Sequence, residues 1–271
     1  MPVLKVVPRD APVFVALVMP RRAPDKKSEY LLIDISNSYT KMAFASREKL
    51  GALERIETAR LSEAALRKLI RRRVVERVVV CSVVPKKDEL IRRAARRTPV
   101  FFVSAECELG VGVDYPNPKS IGADRLANAA AVAALYGTPA VVVDFGTAVT
   151  FDVVSAEASY IGGVIAPGLE AMTSYLYQRT ALLPKLTLTE PQHAVGRSTK
   201  SAMMSGAIFG YRGLVKEILR KIKAEAFARR RAQVVATGGY AQLIAARLPE
   251  IDAVRPHLTL EGLRIIGNLN R

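Results

Sequence analysis

The chain contains no tryptophan, two cysteines and two histidines among its 271 residues. Cys81 and Cys107 are too few for a disulfide framework and lack the spacing of metal ligands, and His193 and His257 add no ligand cluster. These shortages argue against a disulfide scaffold and against a zinc site. Free thiols fit a reducing compartment, so we expect a cytoplasmic protein.

Long apolar segments are also missing. No run approaches the roughly 18 residues that span a bilayer, and the longest one near the N-terminus, residues 13–19, has proline on both sides. We therefore expect no membrane partner and no secretory signal. Hydrophobic residues make up 50% of the chain and charged residues 24%, which is the balance of a folded globular protein.

Acidic residues are scarce relative to basic ones, 25 against 41, which gives a net charge of +16. This excess raises the question of a nucleic-acid partner. The arginines are clustered within residues 71–73, 92–97 and 229–231, in or beside helix-like segments and without interleaved aromatic residues. Such clusters are typical of solvated helix faces, so we expect no dedicated nucleic-acid function.

The two commonest nucleotide-binding loops, Gly-x-x-x-x-Gly-Lys-Ser/Thr and a Gly-x-Gly-x-x-Gly after a strand, are absent. The chain instead repeats itself once. Leu-Leu-Ile-Asp-Ile-Ser-Asn-Ser at 31–38 aligns with Val-Val-Val-Asp-Phe-Gly-Thr-Ala at 141–148, a constant offset of 110 residues that also places Thr40 on Thr150. A single copy would be an ordinary polar turn, but two copies in register favour a duplication.

The duplication predicts an α/β protein with two similar lobes around a central cleft, each presenting an Asp-bearing hairpin. We expect residues 29–121 to form the N-terminal lobe and residues 122–271 the C-terminal lobe. Residues 1–28 are basic and proline-containing without periodicity, which predicts a flexible extension.

Both hairpins have the chemistry of a phosphate clamp. Small residues in a turn let backbone N–H groups approach a phosphate, and an adjacent carboxylate such as Asp34 or Asp144 can hold a hydrated cation. The other polar or small residues of these turns are Ser36, Asn37, Ser38, Lys41, Gly146 and Thr147. A later glycine pair, Gly238 and Gly239, either approaches a base or closes a tight connection.

A further constellation comprises Tyr115 and the segment Gly122, Ala123, Asp124 and Arg125, which opens an alanine-rich helix. An acid in the first turn of a helix complements the helix dipole, which is a structural explanation. An acid, an arginine and a tyrosine can equally deprotonate a hydroxyl and clamp a carboxylate. The residues alone leave both explanations open.

Together, the motifs resemble those of the type III pantothenate kinases over nearly everything after Tyr30. The first phosphate loop of that family, Asp-x-Gly-Asn-Thr-x-x-Lys, corresponds to residues 34–41, its Gly-x-Asp-Arg motif to 122–125, and its Asp-x-Gly-Thr-Ala motif to 144–148. The family's Gly-Gly-x-Ile-x-Pro-Gly motif corresponds to residues 162–168, including Ile165. Thr199 lies in a Gly-x-x-Thr segment that begins at Gly196.

The resemblance implies an actin/hexokinase-like fold and ATP-dependent phosphorylation of pantothenate to 4'-phosphopantothenate, early in coenzyme A biosynthesis. It implies a homodimer that uses ATP with Mg²⁺ and a monovalent cation, K⁺ or NH₄⁺. It assigns Asp124 as the general base and Asp144 to the monovalent cation. It assigns ATP to Asp34, Ile35, Ser36, Asn37, Ser38, Tyr39, Thr40, Lys41, Gly146 and Thr147, to which we add Gly238 and Gly239, and pantothenate to Tyr115, Gly122, Ala123, Asp124, Arg125 and Thr199.

The first loop departs from the family pattern at two positions. Ser36 replaces a glycine, and Ser38 replaces a threonine whose hydroxyl it retains. If position 36 required a positive φ, serine would cost about 1 kcal/mol and weaken ATP binding. The alternative to the kinase is therefore a catalytically weak or silent relative with a regulatory or nucleic-acid-binding role.

Overall fold

The computed structural model describes residues 28–228 and 230–271. The predicted N-terminal extension lies outside the described residues except for Ser28, which begins the first strand. No helix in the described part of the chain is long and apolar enough to cross a membrane.

Two mixed sheets organise the fold, and they share one strand order. The first runs β3-β2-β1-β4-β5. Its strands are β1 (Ser28–Ile35), β2 (Tyr39–Ala45), β3 (Leu50–Glu57), β4 (Val75–Ser82) and β5 (Val100–Phe102). The second runs β11-β10-β7-β8-β9-β6. Its strands are β6 (Gly112–Val113), β7 (Ala140–Phe145), β8 (Ala148–Val154), β9 (Ser159–Pro167), β10 (Gln233–Gly238) and β11 (Ala253–Val254).

The pairing directions confirm the predicted duplication. In the first sheet β1 pairs antiparallel with β2 and parallel with β4, and in the second β7 pairs antiparallel with β8 and parallel with β10. The order 3-2-1-4-5 is thus repeated as 9-8-7-10-11, with β6 added at the edge beside β9. The two-lobed α/β fold class predicted from the sequence is confirmed.

The register corrects one detail of the repeat. Asp34 pairs with Lys41 across the first hairpin, whereas Asp144 pairs with Thr150 across the second. The second turn is one residue shorter, so Thr150 corresponds to Lys41 and not to Thr40. Thr40 corresponds to Val149, which faces Phe145 as Thr40 faces Ile35. A fixed offset could not detect the missing residue, because the matching threonines Thr40 and Thr150 made the longer alignment look continuous across the turn.

Helices cover the faces of the sheets. They are α1 (Glu63–Ile70), α2 (Pro85–Ala95), α3 (Ala123–Tyr136), α4 (Leu169–Arg179), α5 (Thr199–Ala226), α6 (Ala241–Ala245) and α7 (Leu258–Leu269). The apolar run of β1 is buried on both faces, as a strand between two helical layers must be. Leu31 and Ile33 face α1 and α2, while Leu32 faces the core formed by α3 and α7.

Helices α3 and α7 form the central layer that joins the two sheets in one core. That core includes Leu32 of β1, Val142 of β7, Leu126 of α3 and Leu263 of α7. The C-terminal helix thus returns to the first sheet, where the Tyr30 hydroxyl donates to Asn268 Oδ1 at 2.9 Å. The lobe boundary at residue 121 stays a prediction. Helix α7, from the C-terminal end of the chain, packs against the first sheet.

Residues 127–134 of α3 are mostly small and give the helix a small-residue face, which permits close contact either with another helix of the chain or with a second copy. Ala127, Ala129 and Ala131 are fully buried, and a Cβ on Gly262 of α7 would collide with the Ala127 carbonyl oxygen. This face therefore serves close packing of α3 against α7 and gives no support to a dimer contact. The dimer expectation then depends on the resemblance and on other surfaces.

Candidate active site

The first turn holds a buried carboxylate at the end of β1. Asp34 is 2% exposed, and its Oδ1 accepts hydrogen bonds from Ser36 Oγ at 3.0 Å and from Cys81 Sγ at 3.5 Å. Its Oδ2 lies 3.6 Å from Lys41 Nζ, across the hairpin. The duplicated sheet topology therefore places a carboxylate and an ammonium group side by side beside the turn.

Ser36 has no strained backbone. The non-glycine residues with positive φ in the described ranges are Arg96, Ala158 and Ala228. The premise that serine costs conformational energy at position 36 is therefore wrong. The serine hydroxyl instead donates to Asp34, so the departure from the family pattern adds a hydrogen bond to the carboxylate.

The side chains of the first loop divide between the turn and the interior. Ile35 and Thr40 are fully buried, and Thr40 Oγ1 is 3.0 Å from Thr58 Oγ1. Arg55 lies over the ring of Tyr39, 4.2 Å from its centroid. The exposed side chains of this loop are those of Asn37, Ser38 and Tyr39, so a ligand at this loop would meet them and the backbone.

The second turn presents Asp144 at the corresponding place. Asn128 Nδ2 of α3 donates to its Oδ2 at 3.4 Å, and Asn128 Oδ1 in turn accepts from Thr259 Oγ1 of α7 at 3.0 Å. Gly238 packs against the other oxygen, because a Cβ there would lie 2.5 Å from Asp144 Oδ1. Gly238 also has φ of +92°, which favours glycine, whereas Gly239 has no atom within 4 Å of its ideal Cβ position.

The two turns meet tip to tip. Ser38 Oγ and Thr147 Oγ1 are 2.8 Å apart. Behind the second turn, Gly168 lies so close to the carbonyl oxygens of Gly146 and Thr147 that no Cβ would fit. Gly163 is packed as tightly against the Phe151 carbonyl oxygen, so Gly163 and Gly168 serve close backbone packing.

Asp124 begins α3 beside both turns. Its Oδ1 accepts the backbone N–H of Arg125 at 2.9 Å, and Gly122 is needed there because its Cβ would lie 2.6 Å from that oxygen. Burial, followed by repulsion from Asp34 and Asp144, raises the pKa of Asp124 to about 6. A carboxylate with this pKa accepts a proton readily near neutral pH.

Lys41 and Asp144 interact electrostatically with Asp34 and with each other, and these interactions shift their pKa values. Burial lowers the pKa of Lys41, but attraction to Asp34 and Asp144 outweighs it and the net shift is upward. Burial raises the pKa of Asp144, opposed by Lys41 and reinforced by Asp34. The carboxylates of the cleft outnumber its cations, so the cleft can accommodate an additional cation.

A second cluster lies beside Asp124, around Arg125. Arg125 Nε donates to Asp152 Oδ1 at 2.7 Å, and its guanidinium lies over the ring of Tyr160, 5.6 Å from the centroid. Tyr115 packs against Tyr160 with ring centroids 6.1 Å apart, and Gly162 leaves room for the Tyr115 ring. Acid, arginine and tyrosine are thus brought together, as a substrate-binding constellation requires.

Thr199 is placed differently from the other predicted substrate residues. It is the first residue of α5, after the capping residue Ser198. Its neighbours Ser198 and Lys200 line a cavity of about 1350 Å³, but Thr199 itself is not among the lining residues. No hydrogen bond joins Thr199 to Asp124 or Arg125 in the ranges that the structure describes.

Two polar residues of the site were missed by sequence reasoning. Asn128 is buried in an alanine-rich helix, and Asp152 is fully buried in a strand of valine and phenylalanine. A carboxylate in an otherwise apolar strand is a detectable signal, because a buried charge needs a partner.

The described residues hold no group of three or more His, Cys, Asp or Glu side chains placed to bind a metal ion unaided. A divalent cation in this cleft would need ligands from a bound molecule, as Mg²⁺ commonly takes them from substrate phosphates.

The fold and the site define a class. Two repeated sheets, each delivering an aspartate and a small-residue turn to one cleft, are the arrangement of the actin/hexokinase-like kinases. In agreement, the model of the type III pantothenate kinase family matches residues 30–221. The chain belongs to the type III pantothenate kinase family.

Individual relatives agree with this assignment. The chain is 51% identical over 243 residues to a type III pantothenate kinase of Akkermansia muciniphila, covering 89% of this chain and 99% of the relative. It is 43% identical to one of Methylacidiphilum infernorum, with 88% of each chain covered.

Solved structures support the fold alone. A conserved Campylobacter jejuni protein described as a Baf family transcriptional activator superposes with a TM-score of 0.57 at 19% identity, covering 88% of this chain and 97% of the other. Ethanolamine utilization protein EutJ of Carboxydothermus hydrogenoformans gives 0.52 at 12% identity, covering 88% and 89%.

Proposed function

We propose that this protein transfers the γ-phosphoryl group of ATP to the primary hydroxyl of pantothenate, forming 4'-phosphopantothenate for coenzyme A synthesis. The observation that carries the proposal is the position of Asp124. A partly buried carboxylate with a pKa of about 6 lies beside two phosphate-type turns in a member of this kinase family.

The turns supply the ATP site. Their backbone N–H groups, with the exposed side chains of Asn37, Ser38 and Thr147, surround the point where the hairpins meet. Phosphates bound there would separate the Ser38 and Thr147 hydroxyls, which in the structure contact each other at 2.8 Å. Lys41, next to Asp34, supplies positive charge to the same phosphates.

Asp124 accepts the proton of the pantothenate hydroxyl. As the hydroxyl oxygen bonds to the γ-phosphorus and the bond to the β-phosphate oxygen breaks, the hydroxyl proton passes to the Asp124 carboxylate and ADP leaves. Little further covalent chemistry is required of the protein, since phosphoryl transfer depends mainly on positioning and electrostatics. Arg125 and Tyr115 lie beside Asp124 to orient the organic acid.

The excess negative charge of the cleft favours the binding of a divalent and a monovalent cation. Asp34 and Asp144 leave negative charge that Lys41 does not balance, so a divalent cation can be held between these carboxylates and the phosphates. Mg²⁺ there would neutralise the triphosphate. For the monovalent cation, K⁺ or NH₄⁺, we propose Asp144, whose pKa is raised by burial and by Asp34.

We propose a homodimer, through a different surface from the small-residue face of α3. An exposed apolar patch covers α4 and the adjacent end of β9. Its members, with their exposed fractions, are Ile165 62%, Met172 41%, Tyr175 60%, Leu176 41% and Tyr177 49%. A cluster of this kind is typical of an association surface. A dimer would let α5 of the second copy supply its threonine at position 199 to the cleft, where Thr199 of the same chain forms no hydrogen bond to Asp124 or Arg125 in the described ranges.

A coupled ADP-release assay with pantothenate as the sole acceptor tests the proposed activity. Turnover that requires ATP, Mg²⁺ and pantothenate together supports the kinase, whereas a silent regulator shows none. Light scattering at micromolar concentration tests the dimer, and a monomer would contradict it.

The cytoplasmic location that we propose is supported by Cys81 and Cys107, which are both free thiols.

A further inference from the structure

Asp152 is the most deeply buried carboxylate of the site. It lies in the middle of β8, is 0% exposed, and belongs to neither phosphate turn. Burying a charge is costly unless partners compensate for the lost hydration. Its partners are Arg125 Nε at 2.7 Å from Oδ1 and Thr150 Oγ1 at 3.4 Å from Oδ2.

Three residues surround the guanidinium of Arg125. Asp152 accepts from Nε, the ring of Tyr160 lies beneath Cζ, and the absence of a side chain at Gly163 leaves space for Nη2. Gly163 stands directly across from Asp152 in the β8–β9 register, and a Cβ there would approach Nη2 to 2.9 Å. The strand pair thus provides both the anchor and the space for the guanidinium.

The terminal nitrogens of Arg125 have no hydrogen-bond partner among the residues that the structure describes. Within the described ranges neither Nη1 nor Nη2 donates a hydrogen bond, and the side chain is 13% exposed. A guanidinium anchored by Nε presents its remaining N–H groups in a planar fork, which matches a carboxylate. Arg125 is adjacent to Asp124, so an acid bound by this fork lies beside the proposed base.

A second buried arginine of the chain provides a structural contrast. Arg212 donates to both oxygens of Glu190, at 2.9 and 2.6 Å, and to the carbonyl oxygens of Leu243 and Ile244. Every nitrogen of that guanidinium is used within the chain, as expected of an arginine that only holds the fold together. Arg125 has a single internal acceptor and two unused nitrogens.

We propose that Asp152 is a positioning residue that orients Arg125 to bind the carboxylate of the acceptor, and so makes the kinase selective for an acid. The inference rests on the proposed function. It identifies the carboxylate, and not the hydroxyl or the ATP, as the group whose binding depends on Asp152. It also explains why an aspartate lies in a strand that is otherwise apolar.

The test is a comparison of two acceptors: pantothenate, and the analogue whose carboxylate is replaced by a primary alcohol. For Asp152→Asn we expect the KM for pantothenate to rise about 10- to 100-fold, the scale of a charged hydrogen bond. The KM for ATP and kcat are expected to stay within about threefold. The KM for the alcohol analogue should not change, because the analogue has no carboxylate for Arg125.

Thr150→Val is a milder second variant, which removes the hydrogen bond to Asp152 and suits a strand. It should raise the KM for pantothenate about two- to fivefold and leave the analogue unaffected. The control is Glu190→Gln, which alters the Arg212 pair and should change thermal stability without changing either KM. Thr150→Val keeps the inference testable if Asp152→Asn does not fold.

The outcomes separate the inference from the proposed function. If the unmodified protein phosphorylates pantothenate but neither variant changes the preference between the acceptors, the inference is wrong and the kinase stands. Equal losses for both acceptors would assign Asp152 a structural role and also overturn it. If the unmodified protein does not use pantothenate at all, the proposed function fails and the inference fails with it.

Discussion

Asp124→Asn separates the two roles that the sequence left open for this residue. Asparagine keeps the shape of the side chain and an oxygen that can accept the Arg125 N–H, now accepted by Asp124 Oδ1 at 2.9 Å. It cannot accept the hydroxyl proton at neutral pH. The substitution therefore removes one charge and one proton acceptor while the helix start is retained.

The structure predicts a gain in stability. The pKa of Asp124 is about 6 in the folded protein, against an ordinary value of 3.8 for an aspartate. The folded state therefore binds more protons between these values, and stability falls as pH rises from about 4 to about 6. At pH 7 the ionised carboxylate costs up to about 3 kcal/mol, so Asp124→Asn should stabilise the protein by about 1–3 kcal/mol. This advantage should disappear below about pH 4.

The same substitution should nearly abolish turnover. Loss of a positioned proton acceptor costs roughly 10² to 10⁴ in rate. ATP binding should persist, since the turns are untouched. Urea unfolding at pH 7 and pH 4 measures the stability change, and the coupled ADP-release assay measures the turnover. The kcat/KM of the unmodified protein should rise with pH through an apparent pKa of about 6.

Two results would refute this reasoning. A variant that retains more than about a third of wild-type turnover would remove Asp124 from proton transfer. A loss of stability at pH 7 would show that the carboxylate serves the helix dipole and that its charge is not costly in the cleft.

Two further predictions concern the turns. Gly238→Ala should destabilise the protein by about 1–3 kcal/mol in urea unfolding, because of positive φ and contact with Asp144, whereas Gly239→Ala, with open space, should have no effect. Equal effects of the two would contradict the packing described. Ser36→Gly removes the hydroxyl that donates to Asp34 and should raise the KM for ATP about two- to fivefold. A fall in that KM would show that the serine side chain obstructs the bound phosphate.

The fold could be predicted because its strongest signals are local. Apolar runs such as Leu31–Ile33, each followed by an aspartate and small residues, predict a buried strand and a turn without any tertiary information. Their repetition at a fixed offset predicts two lobes. The one-residue difference between the turns could not be predicted, since register depends on which residues pair across each hairpin.

The site was predictable only where its residues belong to turns or helix starts. Asp34 and Asp144 are the last residue but one of their strands, and Asp124 is the second residue of its helix, so each lies at an end of its element. Asn128 and Asp152 lie inside elements, and their roles depend on partners distant in sequence, as Thr259 is from Asn128. The face of α3 shows the same limit, because small residues permit close packing but do not say which helix supplies it.

The proposed cleft between the two turns has one product, pantothenate that carries the phosphoryl group of ATP. Mass spectrometry of the acceptor after incubation with ATP and Mg²⁺ detects that product, with Asp124→Asn as a matched control. We expect a singly phosphorylated pantothenate with the unmodified protein and almost none with the variant. ADP formation without phosphorylated pantothenate, or equal product from both proteins, would contradict it.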